Sequence, residues 1–168
     1  MSLNWFVVHC YPNKESVAAI NLQNQGFSTY IPRFKKLRRH ARKVDTVLAP
    51  LFPRYFFVNL DSQLSDWVAI NYTPGISYLL KNSAGLPASI PDYIIEELQK
   101  NHDDQGAVDL AILDIFKPGD KVRILDGAFI NHVAIYEQMT DTQRVQLLIN
   151  LIQQPVKISI PLYAVEKI

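Results

Sequence analysis

The sequence predicts an α+β protein in which an α/β sandwich with an antiparallel sheet is followed by a small β-rich domain. Strand-like and helix-like segments alternate over the first hundred residues in the order β-α-β-β-α-β-α. NHDDQGAVD at 101–109 has the polar, acidic composition of a linker, and about five short strand-like runs follow it. We therefore expect domains at 1–100 and 116–168, joined by a linker at 101–115.

The first predicted elements are a strand, a helix and a second strand. WFVVHC at 5–10 is a short apolar run of the kind that forms a buried strand. Asn13 is a residue type that caps helices, and Gly26 is expected to end the helix that follows it. FSTYIP at 27–32 has the composition of a second strand.

The remaining elements of the first domain follow from β-branched and aromatic runs and from the residues that interrupt them. Proline is accepted in the first turn of a helix, which makes Pro91 a helix start. In chain order we expect strands at 44–48 and 54–60, a short helix from Asp61 or Ser62 to TPG at 73–75, a strand at 76–80, and a helix from Pro91 with the apolar face IIEEL.

One segment of the second domain, RVQLLINLI at 144–152, fits two structures. With a period of two, as in a strand, one face carries Val145, Leu147, Ile149 and Leu151. With helical spacing, an apolar stripe carries Val145, Leu148, Ile149 and Ile152, and Asp141 or Thr142 would cap its start. The runs PVKISIP and LYAVEKI that follow it predict strands.

The charge of the chain is strongly segregated. RFKKLRRHARK at 33–43 places seven positive charges in a protein whose formal net charge is +1, and the remainder carries −6. A polyanion would relieve the repulsion within such a run, since binding releases counterions. The candidate nucleic-acid-binding residues are Lys35, Lys36, Arg38, Arg39, His40, Arg42 and Lys43. The alternative is a solvated hairpin arm whose charges only maintain solubility.

The segment PLFPRYFFV at 50–58 predicts a surface for a protein partner. Alternate residues of a strand face opposite sides, so only one set of its aromatic residues can lie in the core between sheet and helix. The other set is expected to form an exposed apolar patch together with the later helix, and such patches mark interaction sites. The candidate residues are Phe52, Pro53, Tyr55, Phe57, Ile94, Ile95 and Leu98.

The sequence offers no arrangement of residues for catalysis, a cofactor or a metal. The only cysteine is Cys10, and the four histidines lack metal-ligand spacing. His9 and Cys10 are neighbours in a strand, so their side chains face opposite sides and cannot easily act together. Because no apolar run has the length of a signal sequence or a membrane span, we expect a cytoplasmic protein. The lack of a catalytic arrangement predicts that it is not an enzyme, and we expect a monomer.

Three motifs, in this order and at these separations, resemble the NusG family of transcription elongation factors: PLFPRYFFVNLD at 50–61, TPGISYLL at 73–80 and FKPGDKVRILDGAF at 116–129. The resemblance implies a NusG-type N-terminal domain and a C-terminal KOW domain, a five-stranded β-barrel. It also implies that the apolar patch binds the β′ clamp helices of RNA polymerase and that the basic run contacts single-stranded non-template DNA. By these two contacts the protein would suppress pausing of RNA polymerase.

Within the family, the chain resembles the RfaH-type specialised paralogues in its Gly127-Ala128-Phe129 turn and its LLINLI segment. In those proteins the C-terminal domain is also found as an α-helical hairpin in an autoinhibited state. The residues that would contact the first domain or a KOW partner, a small-subunit ribosomal protein or Rho, are Phe129, Leu148, Ile149 and Ile152. At Asp66-Trp67-Val68 and at Pro74 the chain differs from the residues that contact DNA in those paralogues, so the resemblance does not predict which DNA element it would recognise. A housekeeping NusG-type factor and a KOW RNA-binding or ribosome-associated module are the alternatives.

Overall fold

A computed structural model describes residues 3–61, 63, 67–110, 119–124, 131, 133–135, 140–153 and 165–167. The chain divides into two compact units, Met1–Asp109 and Leu110–Ile168. The first unit contains the strands β1 (Asn4–Cys10), β2 (Ser28–Tyr30), β3 (Arg33–His40), β4 (Lys43–Pro50), β5 (Tyr55–Leu60), β6 (Ile76–Leu79) and β7 (Ser89–Ile90). Its helices are α1 (Glu15–Asn24), a 3-10 helix (Trp67–Tyr72) and α2 (Asp92–Lys100).

The main sheet of the first unit is antiparallel and is organised around β1. Its strand order is β2-β5-β1-β6, and β7 also pairs with β1. The register of β1 with β5 places Val7 opposite Phe57 and Val8 opposite Phe56. Since β6 pairs with the C-terminal half of β1 and β7 with its N-terminal half, β1 has a neighbour along both edges.

The hydrophobic core lies between one face of this sheet and α1. Alternate residues of β1 and β5 point toward this core, as the two-residue period of a strand requires. The helix contributes small and branched side chains that allow a close approach to the sheet. The buried cluster consists of Phe6, Val8, Cys10, Ala18, Ala19, Leu22, Phe56, Val58, Leu60, Ile70, Ile76 and Leu79.

The strands and helices predicted for the first unit are found, with two differences at helix starts, whereas β3 and β7 lie in segments for which no strand was predicted. Asn13 does not cap α1: it adopts a left-handed conformation with φ 61°, and Lys14 precedes the helix without a side-chain cap. Gly26, with φ 93°, ends α1 as expected. The expected helix from Asp61 or Ser62 is a 3-10 helix that begins at Trp67, and Ser62 lies outside the described residues.

The basic run forms β3 and pairs with β4 in a two-stranded sheet separate from the main one. Residues 102–108 pack at the base of this hairpin. The backbone N–H of Val108 donates to the Arg33 carbonyl oxygen at 2.7 Å, and both Ala107 and Val108 are buried. Residues 101–109, expected to be linker, therefore belong to the first unit. Their polar composition reflects a tight turn rather than a flexible connection.

The second unit combines strands with a helix. Strands β8 (Lys121–Ile124), β9 (Val133–Ile135) and β10 (Val165–Lys167) form an antiparallel sheet in the order β10-β8-β9, and Asp141–Gln153 form helix α3. RVQLLINLI is thus helical, whereas parts of the segments before and after it are strands. The described residues match neither a five-stranded barrel nor a helical hairpin, and the predicted strand PVKISIP lies outside them.

Gly75 permits the close approach of the 73–75 loop to α1. Its φ is 93°, and a Cβ there would lie 3.2 Å from the backbone nitrogen and Cβ of Ala18. Gly85 has φ 78° but no neighbour within 4 Å of such a Cβ. The two glycines therefore share the conformational requirement but differ in crowding.

We predict that Gly75→Ala lowers the free energy of unfolding by roughly 2–4 kcal/mol, because left-handed strain and crowding against α1 add together. Gly85→Ala should cost only about 1 kcal/mol, the contribution of strain alone. Urea unfolding of the full chain measures both. Equal losses in the two variants would show that crowding at Ala18 contributes nothing.

Candidate functional site

The β3–β4 hairpin has two chemically different faces. Opposite residues share a face, so the register places Lys36 with Val47, Arg38 with Asp45, and His40 with Lys43 on one side. The other side carries three exposed aliphatic residues, together with two basic ones. Its members are Lys35, Leu37, Arg39, Val44, Thr46 and Leu48. The predicted nucleic-acid-binding residues are brought together on this hairpin but do not share one face.

Arg38 and Lys35, two of the predicted basic residues, form ion pairs with acidic side chains. The Arg38 guanidinium donates to both carboxylate oxygens of Asp45, at 2.6 and 3.1 Å. The Lys35 ammonium lies 2.7 Å from a carboxylate oxygen of Asp103. The hydrogen bond from Lys35 and those from backbone N–H groups lower the pKa of Asp103 to about 2, so the Asp103 carboxylate is charged at neutral pH.

The positive charge without an ion pair is concentrated at the tip of the hairpin. Among the described residues, Arg39, Arg42 and Lys43 have no acidic partner, and all three are exposed. Ala41 and Arg42 both have positive φ, 47° and 67°, as a tight hairpin turn requires. Glycine or asparagine would adopt this conformation with less strain, so the turn holds an arginine at an energetic cost.

The residues of the predicted apolar patch lie on the sheet face opposite α1, and four of the seven are buried rather than exposed. Phe52, Phe57, Ile95 and Leu98 are buried, with no more than 3% of their surface exposed. Pro53, Tyr55 and Ile94 are half-buried. Phe57 contacts Phe52 edge to face at 6.1 Å between ring centroids and stacks with Tyr30 at 6.2 Å. The two-residue period of a strand predicts which of these residues share a face, but it does not predict how far that face is covered.

The accessible part of this face is a row of three rings across β5, β1 and β6. The His9 ring lies 4.8 Å from that of Tyr55 and 4.7 Å from that of Tyr78. Burial, followed by the charge of Arg54, lowers the pKa of His9, so the imidazole is neutral at neutral pH. Its Nδ1 has no hydrogen-bond partner among the described residues. Cys10 faces the opposite way, into the core, as the strand period predicted.

A set of hydrogen bonds fixes Arg54, the residue before Tyr55. Its backbone N–H donates to Oε1 of Glu15 at 3.0 Å, and its carbonyl oxygen accepts from the Cys10 N–H at 2.8 Å. Its Nε donates to the Cys10 carbonyl oxygen at 3.3 Å. These bonds hold Arg54 in a left-handed conformation with φ 74°. Sequence reasoning missed Glu15, because its partner is 39 residues away.

The remaining sequence-predicted site residues belong to the second unit. Leu148 is buried and Ile149 half-buried in α3, where Ile152 also lies. Phe129 lies outside the described residues. Their expected role in binding a partner or the first unit stays a prediction.

Neither a metal-binding cluster nor a membrane-spanning helix is found in the part of the chain that the structure describes. No group of three His, Cys, Asp or Glu side chains in that part of the chain is arranged to hold a metal ion. None of the described helices has the length and apolar character needed to cross a membrane.

The fold and surfaces above define an α/β sandwich that carries an exposed basic hairpin and an aromatic sheet face. The family model "Transcription termination factor nusG" matches residues 3–99. The chain therefore belongs to the NusG family of transcription termination and antitermination factors.

Curated relatives support this assignment at low identity. The chain is 21% identical to the transcription termination/antitermination protein NusG of Pseudomonas aeruginosa, over the full length of both chains. It is 29% identical to NusG of Thermus thermophilus, over 77% of this chain and 78% of that one. A solved structure described as "Domain interaction in Thermotoga maritima NusG" aligns over 83% of this chain and 82% of that chain with 19% identity and a TM-score of 0.42.

We predict that Glu15→Ala lowers the free energy of unfolding by about 1 kcal/mol, because the partly buried hydrogen bond from the Arg54 N–H loses its acceptor. Glu15→Gln should cost less, since its side-chain oxygen can still accept this hydrogen bond. Thermal unfolding of the full chain compares the two variants. A Gln variant as unstable as the Ala variant would mean that the carboxylate charge, not the hydrogen bond, supplies the stability.

Proposed function

We propose that this NusG-family protein is a transcription elongation and antitermination factor that acts by binding, with two surfaces of its N-terminal unit. One surface is the aromatic sheet face around Tyr55, which would bind the β′ clamp helices of RNA polymerase. The other is the β3–β4 hairpin, which would contact the non-template DNA strand. The observation that carries the proposal is the hairpin tip, where Arg39, Arg42 and Lys43 have no acidic partner among the described residues.

The geometry of the hairpin favours nucleic acid over a solvated arm. A solvated arm gains nothing from an arginine in a strained turn position, whereas a phosphate contact would compensate for the strain at Arg42. Asp45 and Asp103 neutralise charges nearer the base and leave the tip cationic. The hairpin thus presents its net positive charge at its exposed tip.

The aromatic face supports polymerase binding through its accessible members. Aromatic residues whose rings are fixed by neighbours lose little conformational entropy on binding and often dominate interface energies. Tyr55 is fixed by the His9 ring, by Tyr78 and by the hydrogen bonds of Arg54. The buried members of this face, which pack beneath the accessible rings, are Phe52, Phe57, Ile95 and Leu98. They would contact a partner only if the face became more exposed.

A narrower role as an operon-specific factor of the RfaH type is favoured by one observation. RVQLLINLI, which a KOW barrel would use as a strand, is helical in α3. Such a factor would act on few transcription units and recruit a ribosomal protein or Rho through its second unit. A housekeeping NusG-type factor would act on all of them, so transcript profiling after deletion separates the two.

We predict that replacing Arg39, Arg42 and Lys43 with Gln weakens binding to forked DNA and reduces its salt dependence. Each lost phosphate contact on a single strand removes about 0.7 from the slope of log K against log salt. The matched control replaces Lys35 and Arg38, whose charges are already paired, and should change the slope less. Fluorescence anisotropy at several salt concentrations measures both. Equal slopes in the tip variant and the unmodified protein would favour the solvated arm.

The turn offers a finer comparison for the same measurement. Ala41→Gly and Arg42→Gly both relieve left-handed strain, but only the second removes a charge. DNA affinity should therefore fall in Arg42→Gly and stay unchanged in Ala41→Gly. A loss in both variants would assign the effect to the backbone of the turn.

We predict that Tyr55→Ala weakens binding to core RNA polymerase by roughly 2 kcal/mol, whereas Tyr55→Phe, which keeps the ring, has a much smaller effect. Phe52→Ala should instead lower the free energy of unfolding by about 3–5 kcal/mol, because Phe52 is buried. Polymerase retention on immobilised protein, measured beside thermal unfolding, separates the two effects. A folded Tyr55→Ala variant that retains polymerase normally would exclude this face as the docking surface.

A further inference from the structure

The β3–β4 hairpin contains a single acidic residue, and this residue lies opposite an arginine. Among residues 33–50 the only Asp or Glu is Asp45. The register pairs Asp45 with Arg38, and their side chains form a bidentate ion pair. The side chains of Arg38 and Asp45 are 59% and 52% exposed. The ion pair therefore lies on the surface that the proposed DNA contact would use.

A second carboxylate reaches the hairpin from the segment at 101–109. Asp103 binds Lys35 through Oδ2, while its Oδ1 accepts the backbone N–H groups of Gln105 and Ala107, both at 2.9 Å. The turn thus fixes this carboxylate beside Lys35. Since Lys35 and Arg38 lie on opposite faces of the hairpin, each face carries one cation whose charge is balanced by a carboxylate.

Both carboxylates are charged at neutral pH, and DNA phosphate would bind to the same cations. The hydrogen bond from Arg38 lowers the pKa of Asp45, as the one from Lys35 does for Asp103. A guanidinium binds carboxylate and phosphate in the same bidentate geometry, so a phosphate can bind Arg38 in this way only by replacing Asp45. A balanced ion pair also attracts few counterions, and a DNA contact there would release few.

The stability of the hairpin does not explain where these two acids lie. Exposed ion pairs contribute little to stability, because water screens them. Both acids bind cations that precede Arg39 in the chain, and neither binds Arg39, Arg42 or Lys43. The acids therefore neutralise two cations of the basic run and leave the charge of the tip unbalanced.

We propose that Asp45 and Asp103 are intramolecular competitors of DNA phosphate, which occupy Arg38 and Lys35 and thereby restrict the DNA contact to the hairpin tip. This inference rests on the proposed function, since it concerns the same nucleic-acid surface. On a single strand, three phosphate contacts give a slope of log K against log salt of about 2 in magnitude, whereas five give about 3.5. The two acids therefore lower the affinity of the hairpin for DNA of any sequence, because phosphate contacts do not depend on sequence.

A double-mutant cycle on the full chain tests the competition at Asp45. Asp45→Asn keeps the size of the side chain but removes its charge, which makes Arg38 available to phosphate. We expect tighter binding to forked DNA and a salt slope steeper by about 0.7, so that the gain in affinity is about 2.6 times larger at 50 mM than at 200 mM salt. Arg38→Gln alone should leave the slope nearly unchanged, and it should abolish the gain when it is combined with Asp45→Asn.

The second ion pair provides an independent test with a matched control. Asp103→Asn keeps a side-chain oxygen that can accept the N–H groups of the turn, and it should raise the DNA affinity and the slope in the same way. Asp104→Asn makes the same change of charge at the next residue, which is exposed and has no ion pair among the described residues. Its effect should be much smaller. Fluorescence anisotropy with forked DNA measures all the variants.

Two results would overturn the inference, because the acids would then act only through the total charge. These are a gain in Asp45→Asn that persists without Arg38, and equal gains in Asp103→Asn and Asp104→Asn. The absence of any gain in variants that melt like the unmodified protein would also overturn it.

The variant in which Gln replaces Arg39, Arg42 and Lys43 separates this inference from the proposed function. Weaker DNA binding in this tip variant, without a gain in the acid variants, contradicts only the competition. An unchanged slope in the tip variant contradicts the proposed DNA contact itself, and the competition with it.

Discussion

The antiparallel register between β1 and β5 is the constraint on which the other features of the first unit depend. It places Val8 opposite Phe56 on the α1 side and Val7 opposite Phe57 on the other. A shift by one residue would exchange the two faces of β5 and remove Phe56 and Val58 from the core beside α1. The same register brings His9 beside Tyr55, so the packing of the core and the geometry of the aromatic row have one common origin.

The hydrogen bonds of Arg54 stabilise the register of β1 with β5 at the end where β5 begins. A residue with φ 74° has a strained backbone unless its surroundings compensate, and here both backbone polar groups of Arg54 are bonded, to Glu15 and Cys10. Glu15 is itself buried, which is costly for a carboxylate without hydrogen bonds. Helix α1, strand β1 and the segment before Tyr55 are therefore joined by the hydrogen bonds of Arg54 at the edge of an apolar core.

Local patterns predicted most strands and helices of the first unit, because hydrophobic period, Gly26 and Pro91 act over a few residues, but they did not predict β3 or β7. Features that depend on distant residues could not be predicted in this way. The burial of Phe52 and Phe57, the Glu15–Arg54 bond and the Lys35–Asp103 ion pair all join segments far apart in sequence. The basic run was identified from its composition, but only the strand register shows which charges are paired and that the aliphatic residues share a face.

The apolar pattern of RVQLLINLI fits both a strand and a helix, and the residues that flank it favour the helix. Thr140 and Gln143 form a reciprocal capping box: the Thr140 N–H donates to Gln143 Oε1 at 2.7 Å, and the Gln143 N–H donates to Thr140 Oγ1 at 3.3 Å. The cap is thus Thr140, not Asp141 or Thr142. Asp141 in the first turn pairs with Arg144 and also suits the helix dipole. The capping box and the Asp141–Arg144 pair stabilise a helix but not a strand. The local sequence therefore favours the helix wherever tertiary contacts permit both forms.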